Sequence, residues 1–229
     1  MTGGPRNCDF LALWEAGATD HPLDRALGLI ATFELTPRAD MAAHTIDRRD
    51  RALFRISECL FGDKIRLFAA CPDCADEAEL SFSTHDALAV PAPAERFVLN
   101  YGAVQIACRQ PTSRDLAMAL AAPDPQRALL NSVIEAPNPD PELVLVAEQV
   151  LSDQGGLTDL NLQHHCDGCG SDSATPFDIL DYLWRRITAE AQRLMRDVHV
   201  IARAYGWSSE AILALTPRRR AAHIALIEG

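Results

Sequence analysis

Residues 64–83 read KIRLFAACPDCADEAELSFS, and their pattern decides the centre of the fold. Ile65 and Leu67 alternate with Lys64 and Arg66, and Leu80 and Phe82 alternate with Glu79, Ser81 and Ser83. A period of two marks half-buried strands, so two strands flank Cys71-Pro-Asp-Cys74. A second pair, Cys166-Asp-Gly-Cys169, follows another alternation at Leu160 and Leu162 and the doublet His164-His165. A two-residue spacer lets one tight turn aim two sulfurs at one ion, and glycines at 168 and 170 give the second turn its backbone freedom. The two pairs therefore predict one four-cysteine zinc site, with Cys71, Cys74, Cys166 and Cys169 as ligands. Four thiolates close the coordination shell, so the metal would be structural and not catalytic. Residues 75–165 separate the pairs, far more than the usual 15–20 of a compact ribbon, so a zinc-ribbon-like centre must carry a large insertion.

Other readings of these cysteines fit less well. A redox pair places its first cysteine at a helix N-terminus, whereas Cys74 leads into an alternating strand. No secretory leader is expected, because Asp9, Glu15, Asp20 and Asp24 interrupt the first apolar stretch. A reducing, cytoplasmic setting then disfavours disulfides. His164 or His165 could replace a cysteine ligand, although two complete pairs assign them a supporting place around the metal. Cys8, Cys59 and Cys108 have no paired partner; Cys59 and Cys108 lie on apolar faces and read as small buried hydrophobes.

Outward from the centre the chain is helical. Helices are predicted over 22–34, from Thr36-Pro37, and over 45–61 with Gly62 as the stop. Residues 1–6 read as a loose tail, and the mixed-sign run Asp47-Arg48-Arg49-Asp50-Arg51 as a solvated face. Strands at 96–100 and 103–109 precede helices at 112–122, 125–135 and 140–152, set off by Pro123, Pro125, Pro137, Pro139 and Pro141. After Cys169 the pattern is helical to the end. One apolar stripe runs from Phe177 through Leu183, Ile187, Leu194 and Met195 to Ala202 and closes at Tyr205-Gly206. Short helices open at Ser208 and Thr216-Pro217. His199 reads as a packed histidine, and Arg218-Arg219-Arg220 as a helix face. The whole is an α+β fold, mostly helical, with a small antiparallel zinc-ribbon-like β centre. Its regions are 1–62, 63–176 (with the insertion 75–165) and 177–229, packed as one compact unit.

Composition bounds the function. The 229 residues carry 21 basic against 32 acidic side chains, a net charge of −11, and Lys64 is the single lysine. At 48 % hydrophobic residues this is a soluble globular composition, and no apolar run reaches the about 18 residues of a membrane span. An acidic chain repels nucleic acid on average, and Asp73, Asp76, Glu77, Asp167 and Asp172 crowd both cysteine turns. No phosphate loop, dinucleotide fingerprint, HExxH or GxSxG is present, so neither an enzyme nor a small-molecule substrate is expected.

The order of motifs carries a resemblance. Leu60-Phe61-Gly62-Asp63 precedes the first cysteine pair, and Arg109-Gln-Pro-Thr-Ser113 opens a helix. Pro176-Phe177-Asp178 follows the second pair. The end runs from His199 through Arg203, Tyr205, Gly206, Trp207 and Ser208 to Leu213, Leu215 and Pro217-Arg218-Arg219-Arg220. Together, over about 9–226, these resemble the T-even phage baseplate protein family, the hub or hub-assembly proteins of contractile tails. Relatives in bacterial contractile injection systems often carry the paired CxxC. The resemblance implies a non-enzymatic baseplate component or hub assembly chaperone. Its partners would be hub or other tail proteins, and it would act in the cytoplasm or within the finished particle. The alternative is a zinc-ribbon nucleic-acid or transcription adaptor. Trp207, Tyr205 and Ile212 either present anchors to a partner or pack the corner between helices.

Overall fold

The structure, a computed structural model, describes residues 7–34 and 37–229, with side chains from residue 10 onward. The tail read at 1–6, Thr36 and the Cys8 side chain lie outside the described residues. The chain is a mostly helical α+β protein whose strands form small antiparallel hairpins. Its contacts divide it into two units: Ala26–Leu180, and the described residues before Ala26 with Asp181–Gly229.

The first unit begins within α2 (Pro22–Glu34), where Ala26, Leu27, Leu29 and Ile30 are buried, and continues through the short α3 (Arg38–Met41). It is organised around α4 (Ile46–Phe61). The Thr45 hydroxyl accepts the Arg48 N–H at its start, and Gly62, at φ 84°, ends it. Ala52, Leu53, Phe54 and Ile56 are buried, the apolar spacing of an amphipathic helix.

Hairpin β1–β2 (Lys64–Ala70, Glu77–Ser83) follows, with Ile65 opposite Phe82 and Leu67 opposite Leu80. At the far end of the insertion comes a matching hairpin, β5–β6 (Asn161–His165, Asp172–Pro176). Phe54 of α4, Phe82 of β2 and Phe177 just beyond β6 pack their rings with centroids 5.0–6.4 Å apart. This apolar joint fixes the bases of both cysteine hairpins on one helix. The hairpins are separate two-stranded sheets, as is the third, within the insertion.

The insertion has its own core. It contains α5 (Thr84–Ala89), hairpin β3–β4 (Arg96–Tyr101, Val104–Arg109), α6 (Ser113–Leu120), α7 (Pro125–Val133), α8 (Pro141–Asp153) and a 3₁₀ turn at Leu157–Asp159. Leu99, Cys108, Leu130, Val133, Ile134, Leu143, Val144 and Ala147 form one buried cluster. The prolines that punctuate the sequence open helices: Pro125 follows the Asp124 cap and Pro141 the Asp140 cap.

The second unit holds α1 (Asn7–Gly17), the long α9 (Ile179–Tyr205), α10 (Ser209–Leu213) and α11 (Pro217–Glu228). Leu183, Ile187, Ala191, Leu194 and Ile201 of α9 are fully buried. The Trp184 ring lies so close to Gly17 that a Cβ there would collide with it, and the Arg25 guanidinium stacks 4.2 Å above the same ring. No helix among the described residues is long and apolar enough to cross a membrane.

Several readings of the sequence are corrected. Residues 172–176 form a strand, not the start of a helical tail, and α5 was not anticipated. The run 47–51 is not a solvated face. Asp47 is 5 % exposed; its carboxylate accepts the Leu157 N–H at 2.8 Å and pairs with Arg51, which donates to the Val90 carbonyl at 2.7 Å. Asp50 is buried beside Arg49. Cys59 is exposed where burial was expected, whereas Cys108 is buried. Met195 and His199 face solvent from α9.

Candidate metal centre

Each cysteine pair sits at the tip of its own hairpin, and the two tips share one backbone design. In the first, Cys71 N–H donates to the Asp76 carbonyl at 2.8 Å and Ala75 N–H to the Cys71 carbonyl at 2.9 Å. In the second, Cys166 N–H donates to the Ser171 carbonyl at 2.9 Å and Gly170 N–H to the Cys166 carbonyl at 2.8 Å. The residue after each second cysteine takes a positive φ, 63° at Ala75 and 75° at Gly170. Gly170 adopts this without strain, while Ala75 bears the left-handed penalty in order to turn the chain.

The two tips meet face to face. The Ser171 hydroxyl donates to the Asp73 carboxylate across them. A side chain at Gly168 would overlap the Asp76 carboxylate, so the second tip can pass over the first because residue 168 has no Cβ. This brings all four sulfurs within 4.8 Å of one another, although 91 residues separate the pairs in sequence. Cys71 Sγ lies 3.7 Å from Cys169 Sγ, and Cys74 Sγ lies 3.5 Å from Cys166 Sγ. A disulfide requires about 2.05 Å, so these are free thiols. The edge of a tetrahedron with metal–sulfur spokes of about 2.3 Å is about 3.8 Å, close to the spacings observed. Cys71 and Cys166 are buried and Cys74 and Cys169 exposed, one of each from either turn.

The electrostatics of the thiols are uneven. Backbone N–H groups of Asp73 and Cys74 hold the Cys71 thiol down at about 7. The Asp76 N–H works the same way on Cys74, but the neighbouring Cys166 and Cys169 thiols, with burial, push it up to about 12. One thiolate forms readily and the next is resisted by its neighbours. A bound cation removes that resistance, which is why clustered thiols suit a metal ion.

The cluster brings together all four predicted cysteines and neither histidine. His165 pairs through Nδ1 with Asp172 at 2.8 Å, and His164 meets the Ser173 hydroxyl at 3.0 Å. Asp73, Asp76, Glu77, Asp167 and Asp172 are exposed around the tips. The clamp between Asp73 and Ser171 was not foreseen, because nothing in either local sequence says which distant loop it will face.

Fold and site together define a two-unit α+β protein with a four-thiol cluster compatible with a metal ion. Comparison of the chain with protein-family models, with curated proteins and with solved structures gives no match.

Proposed function

We propose that the four cysteines hold one structural zinc ion, and that the chain is a non-enzymatic assembly protein. In this reading it is a baseplate component or hub assembly chaperone of a phage-like contractile tail or injection system, acting in the cytoplasm where such particles are built. The observation that carries the structural reading is the cluster of four sulfurs within 4.8 Å of one another, since an ion held by all four has no position left for a reacting water. Zinc has no redox chemistry and no angular preference from its d electrons, so such a site adds cohesion and nothing else. The contractile-tail reading rests on the order of motifs from Leu60 to Arg220. Exposed carboxylates around both cysteine turns count against a nucleic-acid adaptor, which would set cations towards phosphates.

Affinity capture of the full chain from its native cell, followed by mass spectrometry, tests the function. Hub or baseplate proteins are the expected companions. Recovery of transcription or replication machinery without tail proteins would overturn the reading in favour of the adaptor.

A further inference from the structure

The end of the chain carries a surface that the metal centre does not use. Tyr205 and Trp207 are 41 % and 40 % exposed, with their rings stacked at a centroid distance of 5.2 Å. His223 of α11 meets both rings nearly edge-on, at 5.6 and 5.0 Å. On α11, Arg219, His223 and Leu226 follow the spacing i, i+4, i+7 and share one face. Leu226 is 76 % exposed. Ile212, for which the sequence left open exposure as an anchor or packing in the corner, is fully buried. The surface is thus aromatic and aliphatic, mounted on a packed support that loses little freedom when it is covered.

Charge identifies what covers it. Arg203, Arg218 and Arg219 are exposed, and among the described residues none of their guanidinium groups has a carboxylate or other acceptor. Residues 181–229 hold eight arginines against five carboxylates, in a chain whose other residues are strongly acidic. Aromatic rings with flanking arginines are the composition of protein-binding hot spots. The stacked rings already occupy one face of each other, and nucleobases would leave Leu226 uncovered. The geometry points to a docking surface, made of Tyr205, Trp207, His223, Leu226 and Arg219, for a protein partner that presents an apolar patch edged with carboxylates. The inference rests on the reading of the chain as an assembly protein, and it does not involve the metal.

A photo-crosslinking residue placed at Leu226 in the full chain, in the native cell, tests it. The expected result is one dominant protein adduct whose linked peptide combines apolar residues with Asp or Glu. Arg219→Glu in the same background should lower its yield about tenfold, the loss of one hot-spot contact, and reversal of a partner carboxylate to Arg should restore it. Both substituted side chains are solvent-exposed, and an unchanged melting temperature confirms that the variants fold. Adducts to nucleic acid or to copies of this chain, no adduct, or an adduct indifferent to Arg219→Glu would each overturn the inference. The two readings fail separately. A specific acidic partner outside any tail preserves the surface and removes the tail function. Capture of tail proteins unaffected by Leu226→Asp preserves the function and removes the surface.

Discussion

Asp115 shows what a single carboxylate contributes here. It accepts two bonds from Arg109, at 2.6 and 2.8 Å, and one each from the Thr112 N–H and hydroxyl. Burial alone would raise its pKa, but the Arg109 and Thr112 hydrogen bonds outweigh that and hold it at about 2. A pKa lowered on folding stabilises the protein above the unfolded value near 3.8, and that stability is lost as pH falls towards 2. Asp50 has the opposite sign: burial pushes it up to about 6 against the pull of Arg49, so its ionisation weakens the fold as pH rises from about 4 to 6. In urea melts at stepped pH, wild type should lose about 2 kcal/mol relative to Asp115→Asn between pH 4 and pH 2. Parallel acid limbs for the two proteins would show that the carboxylate is not stabilised. The same scale explains a misreading. Sequence sees alternating charge at 47–51, but whether an aspartate faces water depends on a donor far along the chain, and for Asp47 that donor is the Leu157 N–H.

At the scale of elements, the first cysteine hairpin and strand β5 were legible because strand alternation and CxxC spacing are local signals. Strand β6 was not, since Asp172-Ser-Ala-Thr-Pro176 has no apolar alternation and gains its conformation from pairing with β5. Helix starts were readable at Thr45, Ser208 and Thr216, where a cap fixes them, and near Pro125 and Pro141, where a proline opens the helix. The 27-residue α9 was legible as a stripe, but residues on the stripe's edge such as Met195 fall outside its buried arc. The metal account makes an element-level prediction. A structural four-thiolate zinc contributes on the order of 10 kcal/mol to ordering its ligand loops. Cys71→Ser with Cys166→Ser should therefore abolish zinc retention and release the hairpin tips, seen as lost amide-exchange protection at residues 71–76 and 166–171. Protection beneath Phe54, Phe82 and Phe177 should fall less, since that joint is apolar. Full zinc content in the double variant would refute the ligand assignment.

For the whole molecule, a long insertion between the two cysteine pairs needs a core of its own, and the cluster around Leu99, Val133 and Ala147 supplies it. Two cysteine pairs split by 91 residues thus still meet at one point. Net charge gives a similar lesson. The value of −11 averages an acidic body and an arginine-rich end, and the average hides the exposed surface at Trp207. The central claim is that this closed thiol set binds zinc. Metal analysis and X-ray absorption at the zinc edge, on the full-length protein purified without added metal, test it most directly. The account predicts one zinc per chain with four sulfur neighbours at about 2.3 Å and no light-atom ligand. A metal-free folded protein, iron in place of zinc, or a shell containing nitrogen or oxygen would contradict it.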